Sequence, residues 1–556
     1  MKQLIECVPN FSEGNNMEII KQITDQIEVV EGVKLLDVDP GKATNRTVVT
    51  FVGEPEPVIE AAFLAIKKAK ELIDMSKHKG EHPRMGATDV CPLVPIANIS
   101  MDETVEYAHK LAKKVGEELE FPVYCYEFAA KSEKRRNLAY VRSGEYEALS
   151  EKLQKEEWKP DFGPAKFDAQ AGATAISARN FLVAYNFNLN TTSTRRANAI
   201  AFDVREAGRL KKVNGKNVLD ENGKPLREPG TLKSTKAIGW YIEEYGIAQI
   251  SMNLTDITIT SIHQAFDEVD RAARERGVRV TGSELVGLVP KQALIDAAKY
   301  FLHKQQRSIG IDEAELIKIA IKSLGLDELK PFLPEERIIE YLLEEDTNKP
   351  LINMTLTDFA NETASESPAP GGGSISAYMG TLGISLATMV ANLSSHKRGW
   401  DNRWEEFSDI AEEGQLFKEK LLSLVDEDTN AFNKIMDAFG LPKSTETDKK
   451  SRSKAIQDAT QYATQIPLEV MKLAYESLSV IKTMAEIGNP NSVTDAGVGA
   501  LAVRSAVMGA FLNVKINAAG LSDKELAKKF LNEGQKIENK TIQLESEILK
   551  IVNDKI

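Results

Sequence analysis

Strand signals fill the first 340 or so residues of this chain and almost vanish after them. The change comes where Pro331, Pro334 and the acidic helical stretch 335–345 lead into Asp346-Thr-Asn-Lys-Pro350. Proline removes a backbone donor and blocks both helix and ladder, so a polar, proline-flanked stretch reads as a connection. On its N-terminal side, β-branched alternating segments are interleaved with helix-spaced ones, which indicates strands sharing a layer with helices. On its C-terminal side, long helix-spaced segments follow one another, which indicates a helical bundle. A chain of 556 residues also exceeds what one hydrophobic core supports. The expected organisation is α/β followed by all-α. Residues 1–180 and 181–340 form two α/β sandwich subdomains, 341–352 a linker, and 353–556 a helical domain.

In the first subdomain, strands are expected at 3–8, 33–38, 45–52 and 123–127, and helices at 17–30, 57–74 and 102–117, with a turn-rich loop over Asn10–Asn15. In the second, strands fall at 181–189, 248–254 and 278–281, and helices at 193–206, 261–276, 290–303 and 312–322. Between them, 208–230 is a polar insertion in which Asn214-Gly and Asn222-Gly predict hairpin turns. The last part reads as helices over 351–361, 375–393, 402–438, 449–480, 491–519 and 523–554.

Composition excludes several functions. A net charge of −13 argues against general nucleic-acid binding, which needs a basic footprint. Three cysteines cannot make a disulfide framework and suit a reducing, cytoplasmic setting. The opening Met1-Lys-Gln-Leu-Ile-Glu-Cys lacks the apolar core of a signal peptide, and no run of about 18 apolar residues suggests a membrane span.

The chemistry concentrates in His78-Lys-Gly-Glu-His-Pro-Arg-Met-Gly-Ala-Thr-Asp-Val-Cys-Pro-Leu-Val-Pro-Ile96. Gly80, Pro83 and Gly86 forbid a regular helix, so this is a shaped loop running into an apolar strand whose Pro92 and Pro95 suit a sheet edge. His78, Glu81 and His82 match His-x-x-Glu-His, but that zinc pattern needs one helical face, which the breakers deny. No metal or nucleotide site is expected. His82 is the candidate acid–base group, because imidazole titrates near neutrality, and Arg84 is a candidate anion clamp. Asn10, Asp37, Asp39 and Arg46 sit at strand ends, where they serve either a cleft or ordinary turns.

In the helical part, Pro368-Ala-Pro-Gly371-Gly372-Gly373-Ser374 precedes a long helix. Free N–H groups there make either an anion site or simply a hinge. Asp428 shares a helical face with Leu424, Val425 and Phe432. An acid there has a raised pKa suited to proton transfer, or else lies solvated at the helix margin. Gly497-Val-Gly499 lacks the strand a dinucleotide fold requires and reads as a helix contact.

These stretches carry a resemblance. The His78–Ile96 loop, Cys7-Val-Pro-Asn-Phe-Ser-Glu-Gly14, Asp37–Gly41, Thr44–Thr47, Ile238–Tyr241 and Gly282–Pro290 resemble formiminotransferase. Ala369–Ser374, Leu424–Asp428, Ala431-Phe432, Gly488–Asp495 and Asn513–Asn517 resemble cyclodeaminase, so the whole chain is similar to the formiminotransferase-cyclodeaminase family. The resemblance implies two ferredoxin-like subdomains and a helical cyclodeaminase bundle. It makes His82 the transferase base and Asp428 the deaminase acid. It puts folate and N-formimino-L-glutamate near Asn10, Asp39, Arg46, Arg84, Gly163, Pro164, Lys166, Gly172 and Lys236, with Phe162 or Phe167 against a flat ring or in the core. It assigns Gly371, Gly372, Gly373, Ser374, Asn489, Asn491 and Asp495 to the deaminase site. The implied co-substrate is tetrahydrofolate, in its polyglutamylated form, in the family's usual setting of histidine degradation. Small-residue helix faces imply a homo-oligomer, with neither nucleic acid nor membrane as partner.

Overall fold

A computed structural model describes residues 3–41, 44–80, 83–221, 223–343 and 351–556. The chain falls into two compact units: Met1–Leu294 with Leu324–Glu344, and Ile295–Ser323 with Glu345–Ile556.

The first unit holds two sheets built in the same order. In one, β1 (Leu4–Cys7) and β2 (Asn10–Phe11) are halves of a single strand broken at Val8-Pro9, followed by α1 (Met17–Glu28), β3 (Val33–Gly41), β4 (Arg46–Gly53), α2 (Pro55–Leu72) and β5 (Thr88–Ala97). The neighbours run β3, β4, β1/β2, β5, all antiparallel. Then α3 (Met101–Glu118), β6 (Val123–Glu127) and β7 (Thr174–Ala178) extend the sheet beyond β5, with β7 parallel to both β5 and β6. The other sheet comprises β8 (Val183–Leu189), α4 (Thr194–Val204), β9 (Thr235–Ile242), β10 (Ile247–Leu254), α5 (Ile262–Arg274) and β11 (Val280–Val286), in the spatial order β9, β10, β8, β11. Each sheet is thus strand–helix–strand–strand–helix–strand with its first strand between the third and fourth.

Local chemistry explains most boundaries. Ile20, Ile23, Thr24 and Ile27 give α1 one buried stripe at helical spacing. Ser261 and Gln264 close a capping box on α5, and the Ser193 side chain caps α4. Asn214 and Gly215 both take positive φ between the paired segments Lys212–Val213 and Lys216–Asn217, as an Asn-Gly hairpin turn requires. The second expected hairpin turn, at Asn222, lies outside the described residues.

Three expectations are corrected here. Strand β5 is not at an edge: it pairs with β1 and β2 on one side and β7 on the other. Its prolines are tolerated because the neighbouring strand is irregular opposite them. Pro95 lies beside a register shift, and Pro92 faces the Val8-Pro9 break, where its carbonyl accepts from Val8 N. Asn10 lies in β2 rather than in a loop. The acidic stretch after Pro334 is not one helix. It forms two short helices, Pro334–Arg337 and Ile339–Leu343.

The second unit is helical. Its members are α6 (Lys291–Lys304) and α7 (Glu313–Leu324), which supply its 295–323 segment, then α8 (Leu356–Thr363), α9 (Gly372–Ser395), α10 (Trp404–Gly440), α11 (Glu446–Ile487), α12 (Val493–Ala519) and α13 (Lys524–Asn553). Helix α8 starts later than expected because Thr355 caps it at Asp358 N. The 295–323 segment is clipped to the bundle at Gly310. Its carbonyl accepts from Asn392 Nδ2 at 2.8 Å, and a side chain there would collide with Ala411.

Helix α9 packs against α10, α11 and α12. At its crossing with α12, a Cβ on Gly383 would lie 2.8 Å from Gly499 O, so both glycines serve backbone approach. Among the described residues, two helical segments, Gly372–Ser395 and Pro490–Ala519, are long and apolar enough to cross a membrane, contrary to the sequence expectation. They are the mutually packed centre of this bundle, which is why they carry so little charge.

Candidate active site

In the first unit, the motifs at Cys7–Gly14, Thr44–Thr47 and His78–Asp89 converge. Asn45, at φ 47°, is the hub. Its Oδ1 accepts from Gly14 N and Asn15 Nδ2, and its Nδ2 donates to Lys79 O. Ser12 Oγ donates to Gly86 O at 2.7 Å. A Cβ on Gly80 would lie 2.3 Å from Thr44 O, so the loop is pressed onto the Thr44–Asn45 turn that leads into β4 at a point only glycine allows.

Beside this clamp lies a charged cluster. Asp89, fully buried at the start of β5, accepts Arg46 Nη1 at 2.6 Å and Arg142 Nη2 at 2.5 Å on one oxygen, and Met85 N at 3.0 Å on the other. Arg46 also donates from Nε and Nη2 to Asn10 Oδ1 at 2.9 and 2.6 Å. Burial pulls the Arg46 pKa down, with Asp89 opposing this. Asn10 and Arg46 are therefore brought together as expected from sequence. Asp89 and Arg142 were missed: Asp89 sits inside an apolar run, and Arg142 is 53 residues away in the chain.

The other expected residues fare differently. Glu81 and His82 lie outside the described residues. His78 is structural: its Nδ1 accepts from Arg84 Nε at 3.3 Å, which leaves Nε2 to donate to Asn45 O at 2.9 Å. Arg84 is not an open clamp. Its Nη1 reaches Glu145 and Glu147, both at 3.0 Å, and its Nη2 reaches Glu147 at 2.7 Å.

Asp39 is exposed on β3, opposite Val48. Its neighbour Asp37 has a pKa raised by burial and by Asp39, against Arg337. Gly163 and Gly172 have positive φ, and a Cβ on either would lie 2.3 Å from a backbone oxygen, Phe121 O or Met85 O. Both glycines are thus required by the chain path itself. Pro164, Lys166 and Lys236 are exposed, while Phe162 lies under Lys131 Nζ and Phe167 packs on Tyr146. Both aromatics are engaged in packing.

In the second unit, the glycine-rich start of α9 does hold an acidic group, and that group is Asp428. Ser374 N donates to Asp428 Oδ2 at 3.0 Å and Ser374 Oγ approaches the same oxygen at 3.3 Å. A Cβ on Gly373 would lie 2.0 Å from Asp428 Oδ1, so this glycine makes the room for the carboxylate. Burial raises the Asp428 pKa, while the Ser374 bonds pull it partly back. Thr429 Oγ1 and Val425 O complete the surroundings of Ser374. Asn513 of α12 comes to Gly372: a Cβ there would meet its Nδ2 at 3.2 Å. Asn513 lies in the Asn513–Asn517 motif, but nothing local in the sequence marks it as a site residue.

Asn489, Asn491 and Asp495 are not part of this cluster. Asn489 N donates to Ser394 Oγ, at the far end of α9, at 2.8 Å. At 1.5 Å per residue, Ser394 lies about 30 Å from Ser374 along the helix. A cavity of about 470 Å³ lined by Ser385, Thr388, Asn392, His396, Gln415 and Lys418 contains none of the expected residues. No group of three or more His, Cys, Asp and Glu fit for a metal occurs among the described residues.

Comparison with known proteins now bears on this geometry. A family profile described as "Formiminotransferase domain, N-terminal subdomain" matches residues 4–179, "Formiminotransferase domain" matches 184–344, and "Formiminotransferase-cyclodeaminase" matches 355–536. The formimidoyltransferase-cyclodeaminase of Mus musculus is 43% identical over 524 residues, 94% of either chain. The chain belongs to the formimidoyltransferase-cyclodeaminase family. Its halves also match separate family relatives. Glutamate formimidoyltransferase of Streptococcus pyogenes is 43% identical over 302 residues, covering 54% of this chain and 94% of that one. Methenyltetrahydrofolate cyclohydrolase of Methylorubrum extorquens is 33% identical over 204 residues, covering 37% of this chain and 98% of that one.

Proposed function

We propose that this chain is a bifunctional folate enzyme of histidine degradation, a glutamate formimidoyltransferase joined to a formimidoyltetrahydrofolate cyclodeaminase. We read both sheets of the first unit as ferredoxin-like, with functional domains at 1–180, 181–340 and 353–556 and a linker at 341–352. The first half transfers the formimino group from N-formimino-L-glutamate to N5 of tetrahydrofolate, releasing L-glutamate. N5 attacks the amidine carbon, and His82 takes the N5 proton and returns one to the departing glutamate nitrogen. In the second half, N10 attacks the formimino carbon, the ring closes, and ammonia leaves as 5,10-methenyltetrahydrofolate forms.

The observation that carries this reading is the Asp428 carboxylate seated in the Gly373 gap at the start of α9. Burial raises the pKa of this acid, which favours its protonated form and suits it to protonating the leaving nitrogen. Neither half needs a metal or redox step. Polyglutamylated folate, held by exposed lysines such as Lys166 and Lys236, is the favoured form of the co-substrate.

Three free, buried cysteines support a cytoplasmic setting. Exposed Val498, Leu501, Met508, Leu512 and Ile516 line one side of α12 at helical spacing, and this supports association with a second copy. Light scattering of the L512E variant tests that association: loss of the oligomer supports it, and an unchanged mass refutes it.

The central test mixes the protein with N-formimino-L-glutamate and tetrahydrofolate and follows methenyl absorbance and ammonia together. Both signals should rise, and in D428N glutamate release should persist while ammonia release stops. Ammonia release that survives D428N removes Asp428 from the mechanism. The similarity to a methenyltetrahydrofolate cyclohydrolase supports a second reading, in which the helical half hydrolyses methenyl-folate. Consumption of added methenyl-folate without any ammonia from 5-formiminotetrahydrofolate would favour it.

A further inference from the structure

Asp89 joins two guanidiniums on one oxygen and holds Met85 N with the other. One carboxylate faces two cations at a site where the Arg46, Arg142 and Asp89 side chains are 12%, 14% and 0% exposed. A buried cation without a full counter-charge is costly, and a binding site meets that cost by taking up an anion.

The arginines near the loop differ in what they have left to offer. Arg84 is filled by two glutamates and His78. Arg46 spends three nitrogens on Asn10 and Asp89. Arg142 makes one bond, from Nη2, and its Nε is buried with no partner. The turn that carries it is fixed from below, because Lys152 Nζ donates to Val141 O at 2.9 Å and to Ser143 O at 2.8 Å. The guanidinium is therefore held in place with its Nε donor unmet, and a carboxylate is the acceptor that would meet it. Asp89 also grips Met85 N, so the same cluster is tied to the loop that follows His82 in the chain.

We propose that Arg142, positioned by Asp89 and Lys152, binds a carboxylate of the dicarboxylic formimino donor and sets the first site's preference for it. This rests on the transferase reading above. It assigns Arg142 a contact with substrate, and Asp89 and Lys152 positioning roles.

The test uses the full-length protein with R142Q and R142K. Transferase KM is measured separately for N-formimino-L-glutamate and tetrahydrofolate, and glutarate binding is measured by calorimetry at saturating folate. R142Q should raise KM for the formimino donor about 100-fold, the size expected for a lost bidentate charge-assisted pair. KM for tetrahydrofolate should stay within about twofold, and the glutarate heat should vanish. R142K, a point charge without the fork, should recover only part of the affinity. Cyclodeamination of supplied 5-formiminotetrahydrofolate serves as the internal control and should persist.

Equal rises in both KM values together with a lower melting temperature, restored fully by R142K, would reduce Arg142 to a structural role and overturn the proposal. So would wild-type protein that binds no glutarate. Wild-type protein that binds glutarate through Arg142 but transfers no formimino group would instead sink the transferase reading and leave the anion site standing.

Discussion

A single methyl group added at Gly373 tests the link between helix α9 and the deaminase chemistry. The new Cβ would lie 2.0 Å from Oδ1, 2.3 Å from Cγ and 2.4 Å from Oδ2 of Asp428. Ordinary carbon contacts sit near 3.5 Å, so the carboxylate must retreat by about 1 Å or more. That movement breaks the 3.0 Å bond from Ser374 N. Loss of a hydrogen bond to a charged group costs about 1.5–3 kcal/mol. Displacing a reacting group by about 1 Å costs roughly 100-fold in rate.

Stability should change far less. Overpacking costs about 1–3 kcal/mol, and alanine regains up to about 1 kcal/mol over glycine as a helix former. G373A should therefore fold, transfer the formimino group at the wild-type rate, and release ammonia from 5-formiminotetrahydrofolate at least about 100 times more slowly. Glutamate release, ammonia release and a melting curve on the same preparation make the measurement. A G373A enzyme that deaminates within about threefold of wild type would refute the reasoning, because Asp428 would then be working from a position the structure denies it.

Three further outcomes follow from named groups. Removing the Ser374 hydroxyl withdraws one interaction that lowers the Asp428 pKa, so S374A should move the acid's titration in the deaminase pH profile upward; an unchanged profile would dissociate the two residues. Burial pushes Glu6 up to about 7 from its ordinary 4.5, with Arg179 opposing. Between those values the unfolded chain loses its proton while the native one keeps it, so stability falls as pH rises and levels off above 7. E6Q should therefore be the more stable protein at pH 8, by up to about 3 kcal/mol in urea unfolding; lower stability at that pH would contradict the argument. Burial, with Arg135, pulls Lys152 down to about 8 from its ordinary 10.5. Its cationic form is penalised in the native state below pH 8 and the penalty lifts as pH rises toward 10.5, so stability gains over that window and K152M should lose the gain. The same variant frees the Arg142 turn and should raise KM for the formimino donor; an unaltered KM would detach Lys152 from the site.

Elements whose cause is local were legible in the sequence. Helix α1 was readable from its helical spacing, α4 from its cap Ser193, and α5 and α13 as helix-spaced ranges. Two strands escaped. β7 is a short, fully buried Thr-Ala-Ile-Ser-Ala segment with no alternation, and β9 is interrupted by Gly239, which lies flat against Ala197 and Asn198 of α4. The site was legible as residue types rather than as a geometry. Asn10, Arg46, Gly373 and Asp428 each had an ordinary turn, hinge or surface reading, and it was the family resemblance of their motifs that picked them out.

Which of these groups touch was settled by the fold. Arg84 reads as a free cation until Glu145 and Glu147 arrive from 61 and 63 residues away. Pro92 and Pro95 read as edge residues until β1 and β7 pair on either side of β5. Asn489 reads as a neighbour of Asp428 until α9 holds their two regions at its opposite ends. By itself the sequence determined the two-part architecture, the helical register and the kinds of chemistry on offer, because periodicity, caps and turns act over a few residues. The tertiary structure decided which charges are spent on one another and which remain for substrate. Those pairings form between segments far apart in the chain, and no short-range pattern encodes them.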